Sequence, residues 1–82
     1  MLALANASKA IKFYQQSISI AREIGDRRGE ANALWNSALE FWKLENRSEA
    51  IARAEASLHI FEAIEDPNTT TVRTELAQWR AA

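Results

Sequence analysis

The sequence predicts an all-α fold in which about four helices stack in antiparallel pairs as a short α-solenoid. Three observations predict it. The 82 residues contain two glycines and one proline, so long runs of Ala, Leu, Glu and Arg pass without a breaker. Within those runs small and apolar residues return at intervals of three, four and seven, the spacing of one helical face. Finally, "AIKFYQQSISIAREIGD" at 10–26 returns as "AIARAEASLHIFEAIED" at 50–66, an offset of 40. Ala10/Ala50, Ile11/Ile51, Ser17/Ser57, Ile20/Ile60, Ile24/Ile64 and Asp26/Asp66 are identical, and Ile18/Leu58 is conservative. Two unrelated amphipathic helices would share the period but not so many identities. An internal repeat of this kind marks stacked units, none of which buries its own face alone.

The breakers set the elements in order. The first helix is predicted over 7–24, with Gly25 as the left-handed residue past its end and Asp26 opening the connection. Residues 1–5 then read as the tail of a lost preceding helix. The second helix starts near Arg28–Glu30 and ends around Leu44. Asn46, with Glu49 three residues later, imitates a capping box and starts the third helix, which runs to about Ile64. Residues 28–65 thus form one complete helix pair. "EDPNTTT" closes it, and one of Thr69 to Thr71 is expected to cap a last helix over 69–80. Its face Val72, Leu76, Trp79 points inward, while Arg73, Glu75 and Gln78 point to water. The whole chain, 1–82, is one domain.

Composition narrows the function. A net charge of −1 provides no basic face for nucleic acid. No apolar run reaches the length of a membrane span, and the short apolar N-terminus lacks the basic flank of a signal peptide. The absence of cysteine removes disulfides and thiolate metal sites and fits a reducing compartment, hence a cytoplasmic expectation. His59, the only histidine, has no second ligand and reads as a solvent-facing residue, with Glu62 and Glu65 beside it on a solvated face. "DRR" at 26–28 reads as loop solvation paired locally with Glu30. No P-loop, dinucleotide fingerprint or Ser–His constellation is present, so no catalytic, cofactor-binding or metal-binding residue is assigned and no enzyme is expected.

On a helical wheel, Leu34, Ala38, Phe41 and Ala31 form one side of the second helix. Trp35, Leu39 and Trp42 adjoin it, and Asn32, Asn36, Glu40 and Lys43 complete a polar side. So wide an apolar arc suits a helix squeezed between others.

The segment "ALWNSALEFWKLENRSEAIARAEASLHIFEAIEDP" resembles a tetratricopeptide repeat. Leu34 stands at the early Trp position, Asn36 matches the Asn before the Leu-Gly pair (here Ser37-Ala38), and Phe41 takes the aromatic place. Glu49-Ala50-Ile51 matches the opening of the second helix, Ala54 stands where Tyr or Phe is usual, Ser57-Leu58 matches Ala-Leu, and Pro67 is a delayed terminal proline. The period of 40 and the "GDRRGEA" connector are similar to the longer members of that family, and the chain reads as the C-terminal part of an array. Glu45 replaces the turn glycine, which leaves open a fusion of helices two and three and their exchange between chains.

The resemblance implies a protein–protein interaction module whose first helices line a groove for a peptide or protein. It puts Asn32, Trp35, Leu39, Trp42 and Lys43 at groove positions, with Asn36 beside them, as the partner-binding residues. The alternative for the two indoles is packing on the first helix and on the cap. The alternative function is architectural: the segment caps an array or forms a homodimer through the apolar face of the first helix. Ile11, Tyr14, Ile18 and Phe13 are the residues expected on that face.

Overall fold

A computed structural model describes residues 2–82, with side chains from Asn6 onward. It contains α1 (Leu2–Ile24), α2 (Arg27–Lys43), α3 (Arg47–Ala63) and α4 (Asn68–Ala81), and no strand among the described residues. The all-α expectation holds. α1 starts earlier than expected because Leu2 to Ala5 are strong helix formers and no Gly or Pro breaks the run before Ala7, so Asn6 lies inside the helix and does not cap it. These residues therefore lengthen α1 instead of ending an earlier helix. Met1 lies outside the described residues.

Three turns separate the helices, and they are built alike. Each has an aliphatic residue, a residue at positive φ and an Asx: Ile24-Gly25-Asp26, Leu44-Glu45-Asn46 and Ile64-Glu65-Asp66. The Asx N–H donates back to the carbonyl five residues earlier, on Ala21, Phe41 and Phe61, at 2.8, 3.0 and 3.0 Å. This satisfies one of the carbonyls a helix end leaves orphaned. Glu45, at φ 61°, makes the turn without glycine, so α2 and α3 are separate helices.

The same Asx residues start the next helix. Asp26 accepts from the Gly29 N–H at 2.9 Å and Asn46 from the Glu49 N–H at 3.4 Å. A side chain at Gly29 would meet the Asp26 carboxylate, which would have to shift. For α4 the expected threonine cap is not used. Asp66 Oδ1 accepts from the Asn68 N–H at 2.8 Å, and its carbonyl accepts from the Thr69 N–H at 3.0 Å. Pro67, with φ −57° and no N–H to satisfy, carries the chain straight from Asp66 into helix. The Thr69 hydroxyl is left buried without a partner.

Each helix packs on the next in the chain, and short connections make neighbours antiparallel. Ion pairs across the joints agree: Arg22–Glu30 between α1 and α2 at 2.9 Å, Arg73–Glu62 between α4 and α3 at 2.8 Å, and Arg80–Glu55 farther along that joint. Glu30 thus pairs across a helix joint and not with the neighbouring "DRR", while Arg28 reaches Asp66 at 2.9 Å. The result is a slab 17 Å across its thinnest direction, two helices thick. α1 and α3 border one cleft, while the tryptophans join α2 to α4.

Two clusters form the core. Ile18, Ala31, Ala33, Leu34, Ile60, Phe61 and Val72 draw on all four helices; Ala38, Ala50, Ala54, Leu76 and Trp79 fill the other end. Ala38 and Ala50 are both fully buried in that second cluster, where small residues let α2 and α3 approach closely. Phe61, fully buried, contributes about 2–3 kcal/mol by removal from water. Ser37 and Ser57 are also fully buried, and each donates its hydroxyl to a carbonyl of its own helix (Leu34 at 2.8 Å, Ala54 at 2.9 Å). That intrahelical bond makes serine as acceptable as alanine at a close approach.

Candidate functional site

The partner-binding residues expected from the sequence fall on two different surfaces of α2. Asn32, Asn36, Leu39 and Lys43 recur at i, i+4, i+7 and i+11 and form one stripe; Asn32 and Lys43 are exposed and Asn36 half-buried, while the half-buried Leu39 also packs on the second core cluster beside Trp35 and Trp42. Among the described residues neither asparagine side chain hydrogen-bonds within the chain, whereas Lys43 reaches Glu40 at 3.4 Å. Trp35 and Trp42 turn away from this stripe toward α4. Trp79 lies between them, stacked on Trp35 (centroids 5.5 Å, planes 24° apart) and on Trp42 (4.6 Å, 5°). The Arg47 guanidinium covers Trp42 at 4.9 Å. Both indoles are half-buried and serve the joint between α2 and the last helix. Their separation of seven residues lets Trp79 sit between them.

α1 shows two seams. Ala7, Ile11, Tyr14, Ile18 and Ala21 form the inner one, with Ala7, Ile18 and Ala21 buried toward α2. Ile11, Tyr14 and Ile18 were expected on the open apolar face and are not there. The docking of α2 takes that side, because α1 belongs to the unit before α2 and meets it as α3 meets α4. The outer seam is Ala10, Phe13, Ser17, Ile20 and Ile24, of which Phe13, Ile20 and Ile24 are 63%, 57% and 71% exposed. Only Ile64, at 37%, joins them among exposed large hydrophobic residues that are described. A shallow depression of about 230 Å³ lies on this seam, lined by Ser17, Ile20, Ala21, Ile24, Asp26 and Gly29.

The repeat explains the seam. Forty residues on, its positions become Ala50, Arg53, Ser57, Ile60 and Ile64 on α3. There Ala50, Ser57 and Ile60 are buried, and Arg53 donates to Ser37 Oγ at 3.3 Å and covers the Phe41 ring at 5.2 Å, both on α2. This is the face of α3 that α2 covers. Among the described residues no helix lies on its equivalent on α1. The heptad-like spacing 10-13-17-20-24 and the offset of 40 were the sequence signals for this surface.

The opposite end of the row is finished differently. Val72, Leu76 and Trp79 of α4 are buried, while Thr70, Thr74, Ala77, Gln78 and Ala81 form a small, polar outer face. A second cleft of about 330 Å³ runs between α1 and α3 past Gln15, Ile18, Leu34 and Ala56. Its charged residues are already paired, Arg22 with Glu30 and Arg53 with Glu49 at 3.1 Å, so it offers no unbalanced charge to a ligand. His59 is exposed on α3. Among the described residues no group of three or more acidic, histidine or cysteine side chains is placed to hold a metal ion, and no helix is long and apolar enough to cross a membrane.

The fold and surfaces define a short row of antiparallel helices with an internal repeat, polar at one end and apolar at the other. Compared with family models, with curated proteins and with solved structures, the chain matches none.

Proposed function

We propose that this chain is a protein–protein interaction module resembling the tetratricopeptide repeats, one that ends its row at α4 and docks a protein helix on the outer seam of α1. One observation carries the reading: the open Phe13 and Ile20 have repeat equivalents on α3, Arg53 and Ile60, that α2 covers. The helix that fits is therefore one like α2, amphipathic, with small residues at close approach and a few large ones between them. Its place of action is the cytoplasm, which the cysteine-free composition suits. No catalytic activity and no cofactor are assigned to it.

A chimera tests the docking surface without knowledge of the natural partner. Residues 26–46, which hold the Asp26 cap, α2 and the turn after it, are joined directly to Ala7, reproducing the junction that α2 makes with Arg47. The added helix should cover the outer seam and raise the thermal midpoint by several degrees, since about 1 kcal/mol shifts a domain of this size by roughly 4–8 °C. Ile20→Glu in the chimera should cancel the gain. An unchanged midpoint would end the reading.

A second reading rests on that stripe of α2. Asn32, Asn36, Leu39 and Lys43 can hold an extended peptide in a groove, the amides pairing with its backbone and Lys43 with a carboxylate. Asn36→Ala and Lys43→Ala should then reduce recovery of peptides selected from a random displayed library, with helical circular dichroism unchanged. Equal recovery would remove this reading.

A further inference from the structure

We propose that the helix docked on the outer seam of α1 is α1 of a second copy, the two running antiparallel about a two-fold axis. This rests on the docking reading above and names its occupant. The seam is complementary to itself in volume and charge when positions that sum to thirty face each other. With Ala10 facing the partner's Ile20 and Phe13 facing the partner's Ser17, the two-fold repeats both layers, so four layers each set a small side chain against a large one. The same register brings the flanking Lys9 to the partner's Glu23, twice, and sets Gln16 beside the partner's Gln16 near the axis. The Lys9–Glu23 pairs favour this alignment over the one shifted by seven residues, in which Ile24 faces the partner's Phe13 and Lys9 has no acidic partner. Small against large is also how α2 meets α3, where Ala38, Ala50 and Ala54 share a cluster with Phe41 and Leu58.

Ser17 lies ready for burial. Its hydroxyl donates to the Phe13 carbonyl at 3.1 Å, as that of its equivalent Ser57 donates to Ala54 while fully buried. Covering Ser17 therefore orphans no donor. The two ends of the row disfavour head-to-tail stacking: the outer face of α4 is polar, so such a contact would set the apolar seam against Thr70, Thr74 and Gln78. A two-fold contact pairs the seam with the matching apolar surface, itself.

Light scattering on the full chain tests the proposal, with a rise from the 9.2 kDa monomer toward twice that mass as concentration increases. Ile20→Glu should return the monomer at unchanged helicity, because Ile20 is 57% exposed and belongs to neither core cluster of its own chain. The chain has no cysteine, so single cysteines report the register. Gln16→Cys should oxidise to a linked dimer by itself. Lys9→Cys and Glu23→Cys should link to each other when mixed and not link alone. Lys9→Glu should weaken the dimer about five- to tenfold, and adding Glu23→Lys should restore it. A monomer at every concentration overturns the proposal, as does a dimer indifferent to Ile20→Glu or one in which Glu23→Cys links to itself. If the chimera is stabilised while the chain stays monomeric, the seam takes a different helix and the two-fold pairing is wrong.

Discussion

Glu45 and Glu65 hold backbone conformations that glycine would hold at lower cost, with φ 61° and 55° beside Gly25 at 73°. An L-residue in this region costs about 1–2 kcal/mol, of which glycine returns part through its own flexibility. Glu45→Gly and Glu65→Gly should each raise unfolding stability by about 0.5–1 kcal/mol in urea titration. Gly25→Ala should lower it by about 1 kcal/mol, and the whole effect is backbone, since no atom lies within 4 Å of the added carbon. Gly25 was legible as a left-handed stop because glycine is the usual residue there. The other two turns were legible from the Asx that follows each one, but not their left-handed glutamates, which the reach-back bonds to Phe41 and Phe61 hold in place.

At the scale of the element, α4 depends on three side chains and one cap. Trp79 is 7% exposed and lies between two other indoles, so Trp79→Ala should cost about 3–5 kcal/mol and shift the emission of Trp35 and Trp42 to the red. An unshifted spectrum would mean that the two indoles do not depend on α4. Asp66→Ala removes the hydrogen bond to Asn68 and the partner of Arg28 together, and should cost more than Asp26→Ala, about 2 against 1 kcal/mol in denaturant titration. The stripe Val72, Leu76, Trp79 could be read from spacing alone. That Trp79 would part Trp35 from Trp42 could not, because the approach of α4 to α2 follows from how both lie on α3.

Across the whole molecule, one substitution made forty residues apart should have opposite consequences. Ile60→Glu puts a carboxylate at a site 5% exposed in the main core and should leave the chain largely unfolded by circular dichroism, since a core of this size supplies only about 3–5 kcal/mol. Ile20→Glu, at the equivalent open position, should leave monomer stability within about 0.5 kcal/mol. Similar losses from both would show that α1 already buries its outer seam. The two outer faces of the row thus differ, that of α4 small and polar and that of α1 apolar.

The sequence by itself determined the helices, because periodicity, caps and breakers act within a few residues of one another. It also determined the repeat, and with it the places of Ala50 and Ser57 where helices come close. Only the tertiary structure decided which side of each helix is covered. α1 carries two apolar seams, and spacing weighs Ile11, Tyr14 and Ile18 no differently from Phe13, Ile20 and Ile24; the docking of α2 chooses between them. The same holds for Trp35 and Trp42, whose surroundings come from a helix more than thirty residues later in the chain. Which face is buried depends on neighbours brought together by packing, and a local pattern does not contain them.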